Sequence, residues 1–393
     1  MELDELQELS RRRCWHETFP LAETGSRFTL RERFRRTMSF EKTDKIPHFE
    51  FGYWNETLPE WHKQGLPPEI DDERKAYEYF GIEDSSIAPV DVGIYPGFPE
   101  ETIEETEERR IFRDGQGVLR EINKSGFKSI PHFIDFPVKS RADFEAYRAQ
   151  LDPDAPGRYG EDWDELVAAY RDRDFPLGIN RGSMIGVPRG LTGFEGIALL
   201  TYDDPDFVEE MAETFCRCVE GSIQRALQEV DFDFAMGWED ICFNSGPIVN
   251  PAFFDRVIRP RYERVSDLLR SHGVFVSAID CDGNVMPIAE SFLAGGVNCM
   301  FPVEVRGGTD ARALRDRFGK KVLFMGGVDK HAVAKGPRAI DAELERLAPL
   351  VEEGGFIPHI DHRCPADVSL ANYRYYLKRK REILNVGGRE AAE

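Results

Sequence analysis

Apolar residues in the second two-thirds of the chain recur in runs of strand length, each followed by polar or Gly residues and then by an amphipathic helical pattern. The runs are PLGINRG, DFDFAMGWED, GVFVSAIDCDG, GVNCMFPVEV, KVLFMGGVD and FIPHIDH. Strands alternating with helices imply parallel pairing through right-handed crossovers. Two earlier runs, IPHFEF and SSIAPVDVG, make eight candidate strands. Eight such units predict an α/β fold, a (β/α)8 TIM barrel, which takes about 250 residues. The chain has 393. That leaves room for an N-terminal helical arm over 1–40 and one insertion within a single barrel domain over 41–393. EETEERRIFRDGQGVLREI alternates on both sides of Asp114-Gly115. It predicts a β-hairpin insertion at about 100–135, after the second strand, where it could cover the barrel mouth.

The period of two along each strand assigns faces. In the fourth strand Phe232, Phe234, Met236 and Trp238 share one side, and Ala235, Gly237 and Glu239 the other. Bulky residues suit a helix layer, so Glu239 is expected to face the mouth. In the fifth strand Asp280 and Asp282 fall together, with Cys281 opposite.

Active sites of such barrels sit at the C-terminal strand ends, and the polar residues of this chain collect there. They are Glu50, Asp91, Arg181, Glu239, Asp240, Asp280, Asp282, Glu304, Asp329, His359, Asp361 and His362. Asp91, Asp240 and Asp329 read more readily as helix caps or loop hydrogen-bond acceptors. Asp280 and Asp282, together with two histidines, are the stronger candidates for metal ligands or an acid/base pair. Gly326-Gly327 offers backbone N–H groups that could cradle an anion, and Arg181 is the nearest strand-end cation for a carboxylate. Tyr53 and Trp54 could floor a ring-sized pocket, while Trp238 reads as core. Together these favour a small polar or anionic substrate.

Composition changes the picture in two ways. A net charge of -21 repels phosphate backbones and anionic lipid, so neither nucleic acid nor a membrane is an expected partner. No run of about 20 apolar residues and no signal-peptide pattern occurs, which makes the cytoplasm the expected compartment. Seven cysteines then read as reduced thiols. Cys216 and Cys218, two apart on a helical pattern, point away from each other and suit packing rather than a shared metal.

RFRRTMSFEKTDKIPHFEFGYWNETLPEW, SGPIVNPAFFDRVIRPRYERV, IDCDGN, AGGVNCMFPVEV, FMGGVD and HIDHRCPADVSLANY, taken in order, resemble the uroporphyrinogen decarboxylase superfamily from about Arg27 to the C-terminus. The resemblance implies a (β/α)8 barrel, a homodimer and one of two activities. One is cofactor-independent decarboxylation of a tetrapyrrole. The other is methyl transfer between corrinoid proteins and thiols or methoxylated compounds, with zinc. The decarboxylases carry RQAGRYLPE after the first strand, and its arginines hold substrate carboxylates; this chain has FEFGYWNETLPEW there. Each missing bidentate arginine removes about 1.5–3 kcal/mol. Asp91 falls near the family's substrate-binding Asp.

The methyltransferases carry HxCGN after the fifth strand and a Cys after the eighth, as zinc ligands. Aligned on Gly283-Asn284, Asp280 and Asp282 stand in for His and Cys. Aligned on Ala366-Asp367-Val368, His362 stands at the eighth-strand position; Asp361 and Cys364 remain open there. The resemblance with these departures implies metal-assisted methyl transfer or demethylation of a small substrate, with a corrinoid protein as partner. Asp280, Asp282, Glu304, His359 and His362 are the metal-ligand candidates for zinc or another divalent cation. Asp282, His362, Glu239 and Asp91 are the catalytic candidates. Arg181, Glu50, Tyr53, Gly326 and Gly327 are the substrate-binding candidates. The alternative is a decarboxylase of a tetrapyrrole or other carboxylated substrate that needs no cofactor; a third reading is a noncatalytic binding barrel.

Overall fold

The computed structural model describes residues 21–124 and 130–389. Part of the expected arm (1–20, with Cys14) and part of the insertion (125–129) lie outside the described residues. After β1 (Ser86–Ile87) the insertion forms β2 (Glu101–Glu105), β3 (Arg109–Arg113), β4 (Leu119–Asn123) and β5 (His132–Asp135). It is a four-stranded antiparallel sheet rather than a hairpin, with the turn at Asp114-Gly115 between β3 and β4. There follow β6 (Leu177–Asn180), β7 (Phe234–Trp238), a small hairpin of β8 (Cys242–Phe243) and β9 (Gly246–Pro247), β10 (Val276–Asp280), β11 (Cys299–Phe301), β12 (Leu323–Val328) and β13 (Phe356–Ile360).

β1, β6, β7, β10, β11, β12 and β13 pair in that order as one curled parallel sheet of seven strands. The expected eighth strand, IPHFEF, joins no ladder, so the sheet is TIM-like without closing. The segment makes only isolated bridges at its ends, Ile46 to Val386 and Tyr53 to Cys364. Pro47 has no N–H to offer a ladder. Its flank is instead pinned by Glu83 N–H to the His48 carbonyl at 3.0 Å and by Cys364 N–H to the Gly52 carbonyl at 2.8 Å.

The concave face holds a buried apolar cluster of its own, to which Phe234, Val276, Ala278, Phe301, Met325 and Ile357 each contribute. The helix Leu30–Met38 closes its lower end with Phe34 and Met38. Each such side chain contributes roughly 1.5–3 kcal/mol by leaving water. Between sheet and helices lies the larger core. There the helix Pro205–Glu229, capped by Asp204 on Phe207 N–H, buries an apolar stripe. Cys216 and Cys218 both pack in that layer but meet different neighbours, the Arg261 and Val92 carbonyls. No described helix is long and apolar enough to cross a membrane.

Sequence parity misassigned β7. Phe234 and Met236 belong to the concave cluster, whereas Ala235 belongs to the sheet–helix core. The bulky residues fill the barrel interior, and the small ones permit close approach from outside. A Cβ on Gly237 would lie 2.6 Å from the Gly182 carbonyl oxygen. Glu239 therefore turns away from the mouth, and Trp238 turns toward it.

Candidate functional site

A cavity of about 340 Å³ opens at the C-terminal ends of the strands. Its walls are mainly apolar and aromatic, from Phe49, Phe51, Trp238, Phe301 and Met325, with Asp280 and His359 among the polar groups. None of the described residues of β2 to β5 lines it.

At one side of this cavity Asp240, Asp280 and Asp282 converge, each with an oxygen within 4.8 Å of the others. β10 delivers Asp280 and, two residues on, Asp282. Asp240 follows β7 in the left-handed region at φ 47, a conformation that costs a non-Gly residue of order 1 kcal/mol. That turn brings its carboxylate to the Asp282 N–H at 3.1 Å. Burial, then the charges of Asp240 and Asp282, hold the Asp280 carboxyl well above the usual range. Asp240 is raised by burial and then by Asp282. Asp282 Oδ1 is buried with no hydrogen-bond partner among the described residues. Carboxylates this close repel one another unless a proton or a cation intervenes.

His362 completes the edge. Its Nε2 lies 3.2 Å from Asp282 Oδ2, and its ring stacks on Trp54 at 5.0 Å. The Arg363 N–H donates to Nδ1 at 2.8 Å. In the neutral ring Nδ1 is thus the acceptor and Nε2 carries the proton, which it donates to Asp282. In this orientation His362 hydrogen-bonds Asp282 from outside the carboxylate trio, where the sequence placed it among the ligand candidates.

Other candidates are drawn elsewhere. Glu239 is fully buried and accepts from Met184 N–H at 2.7 Å, Ile185 N–H at 3.0 Å, Ser183 Oγ at 3.1 Å, Gly186 N–H and the Tyr262 hydroxyl. It anchors the loop between β6 and the helix Gly186–Thr192 rather than a substrate. Glu239→Gln turns an amide N–H₂ toward these donors and should cost about 1–3 kcal/mol. The loss should appear in the denaturation midpoint and not in cation affinity.

Arg181 is also in the helix layer, fully buried against the Tyr262 ring at 4.6 Å, so it cannot clamp a substrate in the cavity. Glu50 borders the cavity, but its carboxylate is held by the C-terminal helix Leu370–Leu384, through Lys380 Nζ at 2.7 Å and the Tyr376 hydroxyl at 2.8 Å. Tyr53 is core, its hydroxyl 3.0 Å from that of Tyr373. Gly326 and Gly327 lie inside β12 at φ 106 and 76. The Gly327 N–H goes to the Pro302 carbonyl at 3.0 Å, and a Cβ on Gly326 would collide with that same carbonyl. They permit a close backbone crossing and do not cradle an anion.

His359 is in the cavity wall beside Phe301 but outside the carboxylate cluster. Burial, with Lys380, pushes its pKa down to about 3, so it is neutral. Asp91 lines the cavity and caps Gly93 N–H at 2.9 Å. Cys281 and Cys364 are buried, their thiols raised well above the usual range: Cys281 by its hydrogen bond with Cys242 and then burial, Cys364 by burial. Asp329 caps the helix Lys330–Ala334.

Sequence reasoning passed over two groups. Asp240 reads in the sequence as a lone cap or loop acceptor, and the structure brings it to Asp280 and Asp282. Lys330, first residue of a helix, reaches Glu304 Oε1 at 2.6 Å, and Glu304 Oε2 accepts from the Gly283 N–H at 2.9 Å. Asp361, buried and pushed up to about 6 by that burial, ties the rim together by accepting from Val305 N–H at 2.8 Å and Lys330 N–H at 3.0 Å.

No family model matches the chain, and no curated protein matches it. Among solved structures, a methyltransferase from Methanosarcina mazei superposes with a TM-score of 0.60 at 17% identity, over 90% of this chain and 99% of that one. At that identity the likeness is one of fold: the curled parallel sheet and its helices are arranged as in that methyltransferase.

Proposed function

We propose that the chain is a divergent enzyme of the uroporphyrinogen decarboxylase superfamily in which Asp240, Asp280 and Asp282 hold a divalent cation. Its reaction is metal-assisted methyl transfer or demethylation of a small substrate, with a corrinoid protein as methyl-carrying partner. The observation that carries this reading is the convergence of three half-buried carboxylates around an orphaned Asp282 Oδ1. An all-oxygen donor set suits a hard cation such as magnesium or manganese better than zinc and needs no thiolate. A divalent cation bound there would supply Lewis acidity to a substrate oxygen.

The chain's own residues do the rest. Asp280 fronts the cavity and orients whatever meets the cluster. Trp238, Phe51 and Phe301 exclude water and hold an apolar body. His362 orients the Asp282 carboxylate through its Nε2. The fold it shares with a methyltransferase supports a transferred methyl group. Of the polar or anionic substrate expected from the sequence, the cavity favours the polar one. Its guanidiniums are already engaged, Arg158 with the Asp91, Gly93, Gln150 and Asp152 carbonyls and Arg363 with Glu73 and the Tyr53 carbonyl. A tetrapyrrole bearing eight carboxylates finds no uncommitted guanidinium among the described lining residues.

Elemental analysis of the purified protein should find a near-stoichiometric divalent metal, and Asp282→Ala should lose it. Retention of the metal in Asp282→Ala, or a metal-free protein that turns over a carboxylated substrate, would end this assignment.

A further inference from the structure

Glu304 stands beside the trio without joining it. It lines a small recess together with Asp282 and Gly283, and its Oε2 is bonded to the amide directly after Asp282. A fourth carboxylate at that place would be expected to ligate any cation the trio binds. Its other oxygen, however, is held by Lys330 at 2.6 Å. Lys330 is itself fixed: its backbone N–H is clamped by Asp361, and that carboxylate also holds Val305, the residue after Glu304. Burial disfavours the Lys330 ammonium, but Asp361 and Glu304 outweigh it and keep the charge in place.

A bound cation keeps for water or substrate only the positions that protein ligands leave open, and in zinc centres the step from three protein ligands to four separates catalytic from structural sites. We infer that Lys330 is a positioning residue that withholds Glu304 from the cation and so preserves an open coordination position for the substrate oxygen. The inference rests on the metal-binding reading above. Its physical content is a competition: the carboxylate of Glu304 has the Lys330 ammonium at one oxygen and the amide next to Asp282 at the other, and the ammonium decides whether it turns to a cation on the trio.

The test uses Mn²⁺ added to metal-free full-length protein, with affinity from calorimetry and bound water from solvent-proton relaxation. Lys330→Met should bind Mn²⁺ at least tenfold more tightly than the unmodified chain while showing fewer water molecules on the bound ion. Lys330→Arg should behave like the unmodified chain. Removing a positive charge would tighten binding by itself, so Glu304→Gln and the double variant separate the two causes. If Glu304 is the recruited ligand, Lys330→Met has little effect in the Glu304→Gln background. Equal tightening in both backgrounds, or unchanged bound water in Lys330→Met, would overturn the inference and leave the metal site standing. Absence of Mn²⁺ binding by the unmodified chain would overturn both.

Discussion

Asp280→Asn should abolish cation binding and yet raise the melting temperature of the metal-free protein. Both effects have one cause. Asp280 carries a carboxyl held well above the ordinary range by burial and by Asp240 and Asp282. The folded state therefore keeps a proton that the unfolded chain, with a pKa of about 3.9, releases. Stability is then lost as pH rises from the unfolded value through the folded one. At neutral pH without a cation the trio opposes folding, and Asn removes that opposition. Each kcal/mol of relief is worth roughly 2 °C in a chain of this size.

Cation binding acts the opposite way on the unmodified chain, adding about 2.7 kcal/mol at a hundredfold excess over Kd. Differential scanning fluorimetry at pH 5.5 and 7.5, with and without Mn²⁺, checks all of this. The metal-free unmodified chain should melt lower at pH 7.5 than at pH 5.5, and the variant should flatten that slope in part. Asp361, at about 6, contributes with the same sign and remains. A variant that melts lower than the unmodified chain and still binds Mn²⁺ would contradict the role given to Asp280.

Lys380→Met should be the most destabilising of the single substitutions considered, by about 3–5 kcal/mol in urea unfolding. Lys380 is completely buried, and its ammonium contacts the Phe49 carbonyl and Glu50 Oε1, both at 2.7 Å. Removing it leaves a buried Glu50 carboxylate facing, among the described residues, the Tyr376 hydroxyl and a long contact to Ile360 N–H at 3.4 Å. The double change Glu50→Leu with Lys380→Met removes the stranded charge and should recover most of the loss. If Glu50 were instead a substrate group, Lys380→Met would change substrate affinity with little effect on the unfolding midpoint.

These two cases show where the sequence could be read and where it could not. Seven of the eight expected strands appear where the apolar runs place them, because hydrophobic period and turn residues act over a few neighbours. Asp280 and Asp282 share a side for the same local reason. IPHFEF has the composition of a strand, but Pro47 and the flanking bridges leave it unpaired, and a ladder depends on the partner as much as on the run. In β7 the alternation was legible while its sense was not. Interior and helix layer both accept bulky side chains, and only the packing of Gly237 against Gly182 and Arg181 shows which side needed to be small.

By itself, then, the sequence determined the succession of strands and helices, the carboxylate-rich strand ends, and the pairing of Asp280 with Asp282. Tertiary structure alone decided which carboxylates are available. Glu50 and Lys380 are 330 positions apart, Asp282 and His362 80 apart, and Glu239 is taken up by a loop packed from a neighbouring strand. A buried carboxylate goes to whichever donors surround it. Those donors arrive from distant parts of the chain, at positions that no local period encodes.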